Sequence, residues 1–329
     1  MTRHRLLRRL TLAGLALAGC LSLPALAAED YPQRPIRLII PYPPGGSLDP
    51  IGRVLAEELS QRVKQAVVVE NVAGANGMVG STRVVKSPAD GYTLLLGITS
   101  NVALVPLVTP NSPYQASDLD AIGMVGTSGL VLVGKPDLPV DSLQSLLTEA
   151  RARPGSFSYG VPGSGSLYHL VMEAIKADTG TDIVAVPYRG AGQASVDIMG
   201  SQIDVALLGL PAMLPHIASG KMKALAVMSR ERDIGNTDIP AAAETPGLQS
   251  VDYTIWTGLF APKGLPAPVR ERLHGELQAV LASPEVAQAY ARMGVQVAAP
   301  QSSEAFASFV ARDSEKLRQD VQRTQLKID

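Results

Sequence analysis

Apolar residues crowd into IRLIIPY (36 to 42), a β-branched run of strand length that ends in the proline and glycine stretch PYPPGGS (41 to 47). Beyond it, IGRVLAEELSQRV places apolar residues at helical spacing, so a helix is predicted with Asp49 as N-cap and Pro50 as first residue. AVVVE (66 to 70) reads as the next strand, GANG (74 to 77) as a second glycine loop, MVGSTRVVKS as a short helix and YTLLLGI (92 to 98) as a third strand. The same order recurs downstream. FSYGV (157 to 161), the loop PGSGS (162 to 166), a helix from Leu167 to about Asp178 ended by Gly180, DIVAVPY (182 to 188), the loop RGAGQ (189 to 193), a short helix to Met199 and IDVALLG (203 to 209) repeat it element by element.

Two similar windings of this kind predict an α/β fold with two mostly parallel sheets and helices on both faces. Ligands in such sheets bind beyond the carboxyl ends of the strands, so two windings place two such ends across a cleft. LVLVG (130 to 134) lies between the windings, and KALAVMS (223 to 229) and YTIWTGLFAP (253 to 262) follow the second. From Pro266 onward the pattern is helical. Pro268 opens the first of these helices, and Ser302 or Ser303 caps the last, whose Phe306, Phe309 and Val310 share a face.

The N-terminus is organised differently. Arg3, Arg5, Arg8 and Arg9 precede an uncharged run of 19 residues from Leu10 to Ala28, which is the grammar of an export signal. A membrane-spanning helix would need about 20 apolar residues; Pro24 and the small residues around it favour a signal peptide spanning 1 to 28. Ala25, Leu26 and Ala27 form an A-x-A cleavage signal that would release a soluble protein near Ala28 or Glu29, whereas Leu17 to Cys20 resemble a lipobox that would anchor the chain through a lipidated Cys20. The Arg8–Arg9 pair raises twin-arginine export, but Leu-Thr-Leu continues it poorly. Cys20 is the only cysteine, so the folded part carries no disulfide.

Removing residues 1 to 28 takes away four arginines and leaves 25 basic against 30 acidic residues, a net charge of −5. A mildly acidic chain argues against a nucleic-acid partner. With 14 aromatics, nine of them tyrosine, the core must be built mainly from aliphatic residues. That suits α/β layers.

Catalytic motifs are missing where they would be expected. The chain has no G-x-S-x-G elbow and no phosphate-binding G-x-x-x-x-G-K-[ST] loop; the nearest dinucleotide pattern, Gly190 to Ser195, lacks its third glycine. His169 and Glu173 share a helix face, but a metal site needs a third ligand and none is near in sequence, so no metal or cofactor is expected. His169 reads instead as a polar residue at the mouth of the second winding or as a surface histidine. Gly45, Gly46 and Ser47 in the first winding, and Gly163, Ser164, Gly165 and Ser166 in the second, lead into helices and so read either as tight turns or as paired anion nests. A helix terminus contributes about 0.3 to 1 kcal/mol, up to ~2 when partly buried, and micromolar affinity needs roughly 8 kcal/mol. Two open nests are too weak, and closure around the ligand is required. Arg189 could add a charge-assisted hydrogen bond or stay solvated, and Tyr42, Tyr159, Tyr168 and Tyr188 either line the cleft or pack at the sheet ends.

YPQRPIRLIIPYPPGGSLD (31 to 49), VVVENVAGANGMVGS (67 to 81), ADGYTLLLG (89 to 97), YGVPGSGSLYHL (159 to 170), VPYRGAGQASVDIMGSQIDVAL (186 to 207), GKMKALAV (220 to 227) and GLFAPKGLPAPV (258 to 269) closely resemble the Bordetella uptake gene (Bug) family. Its members are extracytoplasmic solute receptors of tripartite tricarboxylate transporters. The resemblance implies a two-domain periplasmic binding protein, type 2-like, with domain 1 over 30–128 plus 253–329 and domain 2 over 129–252, crossing at 130–134 and 253–260. It also implies a small carboxylate or related metabolite held by neutral donors and water, no catalysis, a membrane permease as partner and a monomer. By position it points to Tyr42, Gly45, Gly46, Ser47, Thr99, Ser100 and Asn101 on one side, and to Ser164, Gly165, Ser166, His169, Tyr188, Arg189 and Gly190 on the other. The chain departs from the family pattern at Leu48, where threonine is usual, at Ser166, again in place of threonine, and at Arg189 in place of lysine. Two other readings stay open: a receptor of the same fold that reports to a sensor protein, and an exported α/β hydrolase using Ser47 or Ser166 with His169 as base.

Overall fold

In the computed structural model, which describes residues 31–188, 190–233 and 236–327, the first apolar run forms β1 (Ile36–Ile40), of whose five residues four are buried. The expected signal peptide with Cys20, and Arg189, lie outside the described residues. The remaining strands are β2 (Val67–Asn71), β3 (Thr93–Ile98), β4 (Leu119–Ser128), β5 (Leu130–Gly134), β6 (Ser158–Pro162), β7 (Val184–Tyr188), β8 (Val205–Gly209), β9 (Lys223–Val227), β10 (Ile255–Pro262) and β11 (Gln296–Val297). The helices are α1 (Leu48–Val63), α2 (Met78–Val85), α3 (Val105–Val108), α4 (Leu143–Ala152), α5 (Leu167–Thr179), α6 (Ala191–Met199), α7 (Leu210–Ala218), α8 (Ala267–Leu281), α9 (Pro284–Arg292) and α10 (Ser303–Thr324). Arg34–Asp329 is one compact unit built on two sheets.

The sheets have matching orders. One runs β11-β4-β10-β3-β1-β2 and the other β7-β6-β8-β5-β9. In each, a parallel trio from one winding (β2-β1-β3, β7-β6-β8) is followed by a strand that pairs antiparallel, β10 against β3 and β5 against β8. The sheets are therefore mixed rather than mostly parallel. The α/β crossovers impose parallel pairing inside each winding, but β5, directly after β4, and β10, after a long segment that follows β9, come in from the other sheet and run against their neighbours. The chain passes from the first sheet to the second across Gly129, between β4 and β5, and returns between β9 and β10.

Helix α1 buries Leu48, Ile51, Leu55, Leu59 and Val63, the stripe that its spacing predicts. It lies close on β1: a Cβ on Gly52 would sit 2.5 Å from Ile40 Cδ1. Its cap differs from expectation. Ser47 is the N-cap, without a side-chain bond, and Asp49 and Pro50 lie inside the first turn. Helix α5 ends as expected at Gly180, whose φ of 62° terminates it in left-handed backbone. Helix α10 is capped by Ser302, whose hydroxyl accepts the Ala305 N–H at 3.1 Å.

Strand alternation divides the core. Leu130, Leu132, Val205 and Leu207 face a large apolar cluster that also takes in Ile39, Leu95 and Trp256 of the first sheet and Phe306 of α10. Val131, Val133, Ala206 and Leu208 face a smaller cluster with Ile198 of α6 and Met213 of α7. Among the described residues no helix is long and apolar enough to cross a membrane.

Candidate functional site

The parallel strands β1 and β2 end in the segments 41–47 and 72–77, β3 runs through Thr99 into a π-helical turn (Ser100–Leu104), and β6 ends in the loop at 163–166. These loops of the two sheets meet. The Leu167 N–H, first in α5, donates to Ser100 Oγ at 3.3 Å in a buried contact. A Cβ on Gly163 would lie 3.6 Å from Asn76 Oδ1 and 3.9 Å from Ser166 Cβ. None of the described residues in these loops is lysine or arginine.

On the first side, Tyr42 donates its hydroxyl to the Asn76 carbonyl at 3.4 Å. Burial, with Tyr114 and Tyr168 close by, pushes its pKa well above the ordinary tyrosine value, so it stays a neutral donor. Gly45 and Gly46 do not form the expected outward nest. The Gly45 N–H donates to Asp49 Oδ2 at 3.1 Å and the Gly46 N–H to the Pro43 carbonyl at 3.4 Å. Ser47 is exposed. Thr99 Oγ1 accepts the Trp256 N–H at 3.0 Å, tying the loop to β10. Asn101 is fully buried and ties its segment to its surroundings: Oδ1 accepts the N–H of Ile98, at the end of β3, and Nδ2 donates to Ser81 Oγ of α2, both at 2.8 Å. Tyr114 donates to the Asn101 carbonyl, and burial pushes its pKa up to about 12. Asn101 is thus a brace for the loop.

On the second side, the Gly165 N–H donates to His169 Nδ1 at 3.2 Å. That bond fixes the proton of neutral His169 on Nε2. Burial lowers the histidine pKa, against Glu173, which raises it, and with Lys176, which lowers it further. Ser164 is exposed, and Ser166 is 2% exposed with its Oγ making no hydrogen bond. No nucleophile–base pair with His169 therefore exists at Ser166. Tyr188 turns its hydroxyl to Asp197 Oδ2 of α6 at 2.8 Å, and its pKa rises to about 12 through burial and then Asp197. Gly190 caps α6 in extended backbone. Tyr159 is fully buried and donates to Glu173 at 2.5 Å, so it packs in the core, and Glu173 is shared with Lys176 at 2.8 Å rather than with His169. Among the described residues no group of three or more His, Cys, Asp or Glu is placed to hold a metal ion.

The structure thus brings together Tyr42, Ser100, Gly165, Ser166 and His169 with Tyr168, one of the tyrosines that the sequence offered as cleft lining, and with Asn76, which it did not single out. Tyr168 directly follows the first residue of α5, and burial pushes its pKa up to about 12. A separate cavity of about 160 Å³ lies behind the loops, where Thr99 and Leu167 meet Tyr253, Asp313 and Lys316.

Two mixed α/β sheets of matching order, joined by two chain crossings and facing each other through their strand-end loops, define a two-domain periplasmic binding protein. Residues 51–326 match the tripartite tricarboxylate transporter family receptor model, and the chain belongs to that family. It is similar to protein BugT of Bordetella pertussis, at 38% identity over 303 residues, covering 91% of this chain and 93% of that one. Among solved structures it is similar to R. palustris Rpa4515 with adipate, at TM-score 0.82 and 28% identity over 91% of this chain and 99% of that one. It is also similar to the periplasmic binding protein BugD, at TM-score 0.80 and 29% identity over 90% and 99% of the two chains. The Bug resemblance read from the sequence is borne out.

Proposed function

We propose that this protein is an extracytoplasmic solute receptor that closes on a small carboxylate and delivers it to the permease of a tripartite tricarboxylate transporter. Its lobes are residues 30–128 with 253–329, and residues 129–252. The observation that carries the reading is the meeting of the strand-end loops of the two sheets through neutral groups, Ser100 against the first N–H of α5. A helix N-terminus with hydroxyl and amide donors suits an anionic oxygen, and burial between lobes strengthens each bond. The adipate carried by the R. palustris relative supports the same ligand class. The ligand set taken from the resemblance narrows to Tyr42, Ser47, Ser164, Ser166 and His169 as the groups able to reach a solute, with Thr99, Ser100 and Asn101 holding the loop that faces them.

The export signal at 1–28 puts the mature protein in the periplasm, free or anchored at Cys20, as a monomer. Binding is tested by scattering and thermal unfolding with a panel of dicarboxylates, tricarboxylates and aromatic acids. A ligand at a hundred times its Kd stabilises by about 2.7 kcal/mol, which for a chain of this size raises Tm by about 4 °C. Such a rise with a smaller radius of gyration is expected for at least one acid. A panel that produces neither change overturns the reading. Pull-down with the permease or a sensor kinase decides which of them receives the loaded state.

A further inference from the structure

Two buried side-chain polar atoms among the described residues lack any hydrogen-bond partner, Asn76 Nδ2 and Ser166 Oγ. They come from opposite sheets, from the loop after β2 and the loop after β6, yet both flank the same point beside Gly163. Burying a donor without a partner costs stability, and the chain bears that cost twice at one place. Neither atom takes the local bond open to it. Ser166 is the N-cap of α5, where a serine hydroxyl ordinarily accepts an N–H from the first turn, and it accepts none. Asn76 holds left-handed backbone, φ 51° and ψ 39°, in a loop where glycine would adopt it with less strain, and its carboxamide is thereby carried to Gly163.

We propose that Asn76 and Ser166 are a paired grip on one carboxylate of the solute, and that Asn76 sets the preference for an acid over its amide. The inference rests on the receptor reading above. An amide NH2 from one lobe and a hydroxyl from the other supply donors to a single anionic oxygen at the N-terminus of α5, where the helix dipole favours negative charge. Because one donor belongs to each lobe, the oxygen bridges them only when the lobes are together. This couples recognition to closure. A cationic solute end would find no acceptor set of matching charge in these loops.

The test is calorimetric titration of the wild type, Asn76→Gly, Asn76→Asp and Ser166→Ala with the straight-chain dicarboxylates from succinate to adipate and with their diamides. Glycine keeps the left-handed backbone, so Asn76→Gly removes the amide without straining the loop. The unliganded Tm of that variant is expected at or above the wild-type value. Acid affinity is expected to fall about tenfold to a hundredfold in Asn76→Gly and in Ser166→Ala, the range of one hydrogen bond to a charged group. Asn76→Asp sets a carboxylate against the ligand's own, so it is expected to lose acid binding at least as far while its diamide affinity is unchanged or improved. Wild-type acid affinity retained in both single deletions overturns the grip and leaves the receptor reading standing. Equal losses for acid and diamide in Asn76→Asp also overturn it. A wild type that binds no acid of this series and none of the wider panel above overturns the grip and the receptor reading together.

Discussion

Asp49 organises the first glycine loop from inside the helix that follows it. Its carboxylate accepts the Gly45 N–H at 3.1 Å, Arg53 Nε at 3.1 Å and Asn71 Nδ2 at 3.0 Å, so it ties the loop, α1 and the end of β2 together. Burial alone would raise its pKa, but the bonds from Arg53, Gly45 and Asn71 outweigh it and hold the carboxyl below its ordinary value. Asp49→Ala removes three hydrogen bonds at once, but Arg53 is 56% exposed and Asn71 Nδ2 keeps its bond to the Tyr42 carbonyl, so the expected cost is about 1 to 2 kcal/mol, read as a lower urea midpoint at unchanged slope. Because the folded pKa lies below the unfolded one, this stabilisation is complete above the ordinary Asp value of about 3.9. It is lost as the pH falls from there through the folded pKa. The wild type and the variant therefore converge in stability at acid pH, and a gap that persists there would refute the assignment. The sequence marks Asp49 without revealing what it bonds, since Ser47 and Asp49 are both good caps and only the folded loop shows the carboxylate reaching back to Gly45. The same geometry is why an anion nest at Gly45 and Gly46 was legible in composition and is not formed. Asn76 escaped the sequence reading for a related reason. Its signal, an asparagine in a glycine-flanked loop, is also that of a plain turn.

At the scale of elements, both windings are legible from apolar spacing because strand, loop and helix follow one another in short stretches of chain, even though β3 and β8 pair with β1 and β6 rather than with the strand before them. β1, β3, α1 and α5 fall where that spacing puts them. The antiparallel insertion of β10 between β3 and β4 is not legible, since Gly258 faces Gly97 and Met124 from far along the chain and nothing local encodes the pairing. Besides its ladders to β3 and β4, β10 packs against α10. Trp256, Phe260 and Phe306 pack with ring centroids 5.4 to 6.1 Å apart, and a Cβ on Gly258 would lie 2.3 Å from Phe306 Cζ. The glycine makes room for the ring. Phe306→Ala is expected to cost about 3 to 5 kcal/mol, and Gly258→Ala about 1 to 3 kcal/mol through overpacking. Non-additivity checks the contact: with the Phe306 ring gone only Phe260 Cε2, at 2.9 Å, still crowds the extra methyl, so in Phe306→Ala the Gly258→Ala change should cost less, measured by urea unfolding of the cycle.

Across the whole molecule, the two sheets are joined by more than the chain crossings at Gly129 and between β9 and β10. Helix α10, which lies on β4 and β10, also reaches α5 of the second sheet through Arg323 and Asp178, and Arg323 bonds Asp320 at 2.7 Å. Asp320 is buried and accepts the Tyr253 hydroxyl at 2.7 Å, just where the chain returns to the first sheet. The two links differ in weight. Arg323 is 39% exposed, so its ion pair with Asp178 is expected to contribute at most about 1 kcal/mol and to weaken with salt. Tyr253→Phe removes a donor from a buried carboxylate and is expected to cost about 1 to 3 kcal/mol with little dependence on salt. Chemical unfolding of Arg323→Ala and Tyr253→Phe at low and high ionic strength separates them. If Arg323→Ala is the more damaging at high salt, the α10–α5 contact is not a screened surface ion pair, and the buried Tyr253–Asp320 bond is not the stronger of the two.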